Sequence, residues 1–155
     1  MNWKLIFGLS LFGLAMAAGT VFAISPRVEP FFWLVIFTVC AFVIARQAAG
    51  RPFLHGLLLG IVNGVWVTGA HLLFFDRYLA GHRQEAGMML SSRSAVPPKL
   101  LMATVGAAVG VVSGVVIGVL AYAVSKLLKS APAVRARRPT RHEPRGPESA
   151  DKNSA

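Results

Sequence analysis

Between Leu100 and Ser125 the chain carries no charged residue, and within that run glycine stands at Gly106, Gly110, Gly114 and Gly118. Every fourth residue of an α-helix returns to nearly the same face, drifting about 40° per step, so these glycines cut a shallow spiral groove along a helix. Glycine in the interior of a water-exposed helix costs about 1 kcal/mol relative to alanine, so four on one stripe need an offsetting contact. In lipid no hydrophobic force draws helices together. Close van der Waals packing and interhelical hydrogen bonds must do so, and small residues allow the approach. The stripe therefore predicts a helix packed into it.

Composition makes that helix a membrane span. Hydrophobic residues are 55% of the chain and the mean hydropathy is +0.60, against an apolar share of about 45–50% in soluble domains. The sequence predicts an all-α integral membrane protein, a four-transmembrane-helix bundle with glycine-stripe helix packing. Spans are expected at about 5–24, 30–46, 53–75 and 100–125, making a membrane domain of residues 1–125. Ser25 to Pro30, with Pro26 and Pro30, reads as a turn, because proline inside a helix removes a hydrogen bond. A cleaved signal peptide is the competing assignment for the first span, with Lys4 before the apolar run and Ala15-Met16-Ala17 as the small-residue site. The apolar run continues to Ile24, which favours a retained helix.

Span three repeats the pattern of span four, with Gly56, Gly60, Gly64 and Thr68 on one stripe. A tight pair of spans three and four follows, although the stripes alone do not say whether the partner helix belongs to the same chain or to a second copy. Asn63 lies near the middle of span three, where an amide in hydrocarbon seeks a hydrogen bond from a neighbouring helix. His55 and His71 are sixteen residues apart, about 24 Å along a helix, and cannot share a metal ion. They are expected as polar residues at the two membrane boundaries. A connection of residues 76–99 follows, with an interfacial helix over about 77–90 or an extension of span three. Its His82 and Glu85, with His71 and Asp76, lack the spacing of a metal site and are expected to cap and be solvated.

Lys126 to Ala155 reads as a disordered basic tail with prolines among the cations. Its juxtamembrane cluster of Lys126, Lys129, Arg135, Arg137, Arg138 and Arg141 points to anionic lipid headgroups, each cation contributing about 1 kcal/mol of attraction. The net charge of +10 would suggest nucleic acid in a soluble protein. Here the cations flank apolar runs and the tail has no aromatics to stack on bases, so no nucleic-acid partner is expected. Placing the N-terminus, the 46–52 loop and the tail on one side collects eleven Lys and Arg against five on the other. That asymmetry puts both termini in the cytoplasm of a bacterial inner membrane. Cys40 is the only cysteine, which excludes an intrachain disulfide.

No complete catalytic, cofactor or metal motif stands in the chain, and no Asp, Glu, Lys or Arg occupies the central part of a span, as proton-driven exporters require. The expected function is that of a non-enzymatic structural or accessory membrane subunit without a cofactor, partnered by lipid and by a second copy or another membrane protein. The alternative is an oligomeric channel or small-solute transporter lined by span three. The two differ in where Asn63, His55 and His71 face: helix contacts or headgroups in the first, a hydrated cavity in the second.

Overall fold

The computed structural model describes residues 1–48, 50–91 and 96–130. Among them every regular element is a helix: α1 (Trp3–Phe22), α2 (Glu29–Gln47), α3 (Pro52–Leu73), α4 (Phe75–Gly81), α5 (Arg83–Ser91) and α6 (Pro98–Ser130). The four long ones, α1, α2, α3 and α6, are long and apolar enough to cross a membrane. α3, at 22 residues, measures about 33 Å, close to the hydrocarbon thickness.

The chain marks its own helix ends. Asn2 accepts a hydrogen bond from the Leu5 amide through its side chain and caps α1. Pro30 and Pro52 sit in the first turns of α2 and α3, where no intrahelical donor is lost. Gly50, with φ of +87°, takes the left-handed conformation that reverses the chain between them. α6 begins at Pro98 and runs 33 residues, about 50 Å. It therefore extends past the expected end at 125, and Lys126 and Lys129 stand on its last turns instead of opening a tail. Arg135, Arg137, Arg138 and Arg141, with the expected tail from residue 131, lie outside the described residues. The expected interfacial helix over 77–90 is instead two short helices that break at His82, whose amide closes α4 on Tyr78 and Leu79.

The long helices run up and down, but their order in space is not their order in the chain. α3 and α6 form the central antiparallel pair, α1 packs along α3, and α2 leans on α6, while α1 and α2 touch little. Along the central seam the backbones almost meet. A Cβ added to Gly56 would come within 2.5 Å of the Gly118 Cα, and one on Gly64 within 2.8 Å of the Gly110 Cα. On Gly60 it would fall onto the Gly114 backbone, and on Gly106 onto the side chain of Thr68. Each step of four residues up α3 is thus matched by a step of four down α6.

The hydrophobic core sits at the end of the bundle that holds the N-terminus of α1. Leu9, Cys40, Ala41, Ile44, Leu59, Ile117 and Ala121 form one buried cluster with contributions from all four long helices. A smaller cluster of Val21, Tyr78 and Met102 closes the other end. Cations cover aromatic rings at both ends: Arg46 over Phe42 and Lys126 over Tyr122 at one, Arg77 over Phe22 and Lys99 over Phe75 at the other. Such side chains lay their stems on apolar surface and lift their charge toward water.

Substituting Gly110→Leu together with Gly114→Leu forces α3 and α6 apart. The double variant should lose the compact elution of the parent in mild detergent. Gly8 and Gly69 face open space, so Gly8→Leu and Gly69→Leu should leave both elution and detergent Tm unchanged.

Candidate functional site

His55, Asn63 and His71 are buried polar side chains on α3, and α1 packs over all of them. At the core end His55 is 3% exposed. Its Nε2 accepts from the Asn2 amide at 3.1 Å, and its Nδ1 lies 2.8 Å from the Arg51 carbonyl. This pair of contacts fixes the tautomer, with the proton on Nδ1. At the far end His71 is buried too, with Nε2 3.0 Å from Thr20 Oγ1. Both histidines are buried, with α1 lying over them. Trp66 donates from Nε1 to Ser10 Oγ at 3.4 Å and adds another α1–α3 link.

Asn63 departs from its expected role. It is 4% exposed, packed against Gly13 of α1, and neither its amide nitrogen nor its amide oxygen has a hydrogen-bond partner. The facing residue explains this: Gly13 has no side chain to offer, and its backbone groups belong to the interior of α1. The glycine makes room for the amide without satisfying it.

The short helices complete a second polar group. Tyr78, buried on α4, is stacked between two imidazoles, with ring centroids 3.8 Å from His71 and 4.1 Å from His82. Its hydroxyl donates to Glu85 on α5. His82 lies 3.0 Å through Nδ1 from the Tyr78 carbonyl. Its buried Nε2 has no hydrogen-bond partner and points to Glu29 of α2, 3.8 Å from Oε2. The other Glu29 oxygen accepts from Trp33 Nε1 at 3.0 Å. His71 and His82, expected to be solvated, are thus packed as the two faces of an aromatic sandwich. No group of three or more metal-ligating side chains is assembled among the described residues.

Between these features lies a cleft of about 710 Å³. α2 meets the bundle closely only over its C-terminal half, where Cys40, Ala41 and Ile44 are buried. Its N-terminal half leans away from α3 and α6 and leaves the space open. Glu29, Trp33, Tyr78 and Glu85 stand at one end of the cleft, and Ile117 lies at the other. Asn63 and His71 belong to its wall and so do Gly60, Gly64, Thr68, Gly106 and Gly110. His55, Gly56, Gly114 and Gly118 do not. The sequence singled out α3 as the polar helix. It gave no sign that Glu29 and Trp33, one turn apart on α2, share a site with Tyr78, which lies far from them along the chain and reaches them only because α4 folds back under the bundle. Comparison with protein-family models, with curated proteins and with solved structures gave no match for this chain.

Burial, followed by the hydrogen bond to Glu85 and the nearby carboxylates, holds the Tyr78 phenol far above its ordinary value. A folded-state pKa above the unfolded one gives stability that is complete below about pH 10 and is lost as pH rises beyond it. Thermal denaturation of the parent in detergent should therefore fall off more steeply above about pH 10 than that of Tyr78→Phe. Asn63→Leu removes an unsatisfied buried amide, whose cost is about 1–3 kcal/mol. Its detergent Tm should equal or exceed that of the parent.

Proposed function

We propose that this chain is a non-enzymatic structural or accessory subunit of a bacterial inner membrane, built on a glycine-stripe seam between α3 and α6. The observation that carries this is the use made of the polar residues of α3. His55 bonds Asn2, His71 bonds Thr20, and Asn63 is packed on Gly13. They join helices: both ring nitrogens of His55 have partners within the chain, and Nε2 of His71 is tied to α1. α1 is the common partner, so a chain without its first helix would expose all three to lipid, which argues for a span that stays attached.

In this proposal both termini lie in the cytoplasm, and the tail that follows α6 adds its cations to Lys126 and Lys129 at the anionic leaflet. The seam supplies a rigid pair, and the exposed apolar faces of α2 and α6, such as Leu34, Val35, Val112 and Val119, offer surface to lipid, a second copy or another membrane protein.

One observation favours the permeation alternative: Asn63 and His71 belong to the wall of a large cleft. The cleft stops where Leu9, Cys40, Ile44, Leu59 and Ile117 pack together, so within one chain it is a pocket with a floor.

Purified protein in sealed vesicles decides between the two. The expected result is an ion and small-solute leak equal to that of empty vesicles, together with a fluorescent C-terminal fusion reporter that matures only in the cytoplasm. A leak that Asn63→Leu abolishes would establish the channel instead.

A further inference from the structure

The cleft has a chemical polarity that the scaffold role does not require. Its body is apolar, lined by Leu34, Phe37, Val67 and Val109 among others. Its volume of about 710 Å³ falls within the range of about 300–1,000 Å³ found for small-molecule sites. One end is different. Two carboxylates, Glu29 and Glu85, line it, and no Lys or Arg does. Among the described residues neither carboxylate makes an ion pair with Lys or Arg; the one basic group within 4 Å of either is His82, whose Nε2 lies 3.8 Å from Glu29. That nitrogen belongs to a side chain only 3% exposed, has no hydrogen-bond partner, and is turned toward the carboxylate at the mouth.

We propose that this cleft binds a lipophilic organic cation, with its apolar body between α2 and the α3–α6 pair and its charge beside Glu29 and Glu85. The charge pattern selects the occupant. A neutral hydrophobe would cover the carboxylates and leave them uncompensated, which is costly away from water. A phospholipid would bring its phosphate against two like charges. A monocation without an anionic group satisfies both the walls and the mouth. Trp33, fixed by its bond to Glu29, and Phe37, whose ring centroid is 5.7 Å from that of Trp33, add aromatic surface of the kind that attracts organic cations. Entry is sideways from the bilayer, because Leu34 of α2 and Val105 and Val109 of α6 are exposed on the cleft's lipid-facing rim. The site is independent of the scaffold role and stands or falls separately from it.

The test uses radiolabelled tetraphenylphosphonium and the full chain in dodecyl maltoside, read by equilibrium dialysis. The expected result is one saturable site per chain, weakened about tenfold by Glu29→Gln or Glu85→Gln and lost when both are changed. Neutral triphenylphosphine oxide should compete at least tenfold less well than unlabelled cation. Leu34→Lys brings a positive charge to the cleft wall near Glu29, at a position that is 65% exposed and outside the core, so it should abolish binding by like-charge repulsion while keeping the parent's elution and helical signal. That variant carries the test if a glutamate variant fails to fold. Absence of saturable binding, equal competition by the neutral compound, displacement by phosphatidylethanolamine at equal concentration, or full binding by Leu34→Lys would each overturn the proposal.

Discussion

The approach of α3 to α6 is so close that at Gly60 and Gly114 a single added methyl would occupy the other helix's backbone. Everything else in the bundle is placed relative to that pair. A contact of this kind is made of many weak dispersion terms, each about 0.1–0.2 kcal/mol, and it has force only when the surfaces match over several turns. The matched four-residue steps on the two helices provide that length. Because the seam is antiparallel and in register, it also fixes the heights of His55, Asn63 and His71, and with them the levels at which α1 can attach.

The cost of so intimate a central pair is borne by the helices around it. Two backbones in contact present a narrow, flat edge, and α2 can follow α6 only where small or slender residues meet. Cys40 and Ala41 allow this in the C-terminal half of α2. Its N-terminal half turns Trp33 and Phe37 toward the cleft, side chains too bulky to lie against a glycine seam at the same distance. The cleft is the geometric remainder of that mismatch. Its acidic end arises from a different source, the return of α4 and α5 beneath the bundle, which brings Glu85 to the level of Glu29.

Much of this architecture was legible in the sequence because lipid imposes a simple rule: long uncharged runs become helices. The four spans follow from that rule, with ends displaced by a few residues. α6 overran its expected end because Lys126 and Lys129 are good helix formers, and a charge ends a hydrophobic run without ending a helix. Spacing alone pointed to a helix partner for the stripe containing Gly114 but did not say whether the stripe containing Gly60 in the same chain or a second copy supplies it, since close backbone contact needs only the absence of a side chain. The polar site was less legible still. Asn63 was expected to find a donor or acceptor, and what it met was Gly13, which periodicity does not connect to it. The stacking of Tyr78 between His71 and His82 depends on the break after Gly81, a local conformational event with a weak signature among the surrounding polar residues. Glu29 looked like part of a turn; its importance comes from a histidine more than fifty residues away in the chain.

The row α1–α3–α6–α2 also has a consequence in time. A ribosome delivers α1, α2 and α3 well before α6, and at about 5–20 residues per second the stretch from Leu73 to Ser130 takes roughly 3–11 s to follow. During that interval the glycine face of α3 borders lipid, and α2 waits beside neighbours that are not its final ones. The α1–α3 contacts through Asn2, Ser10 and Thr20 need no part of α6, so the contacts within reach before it arrives are those of a pair that skips a helix. The last span to be synthesised is the one that completes the centre, and it gathers α2 in from the side as it arrives.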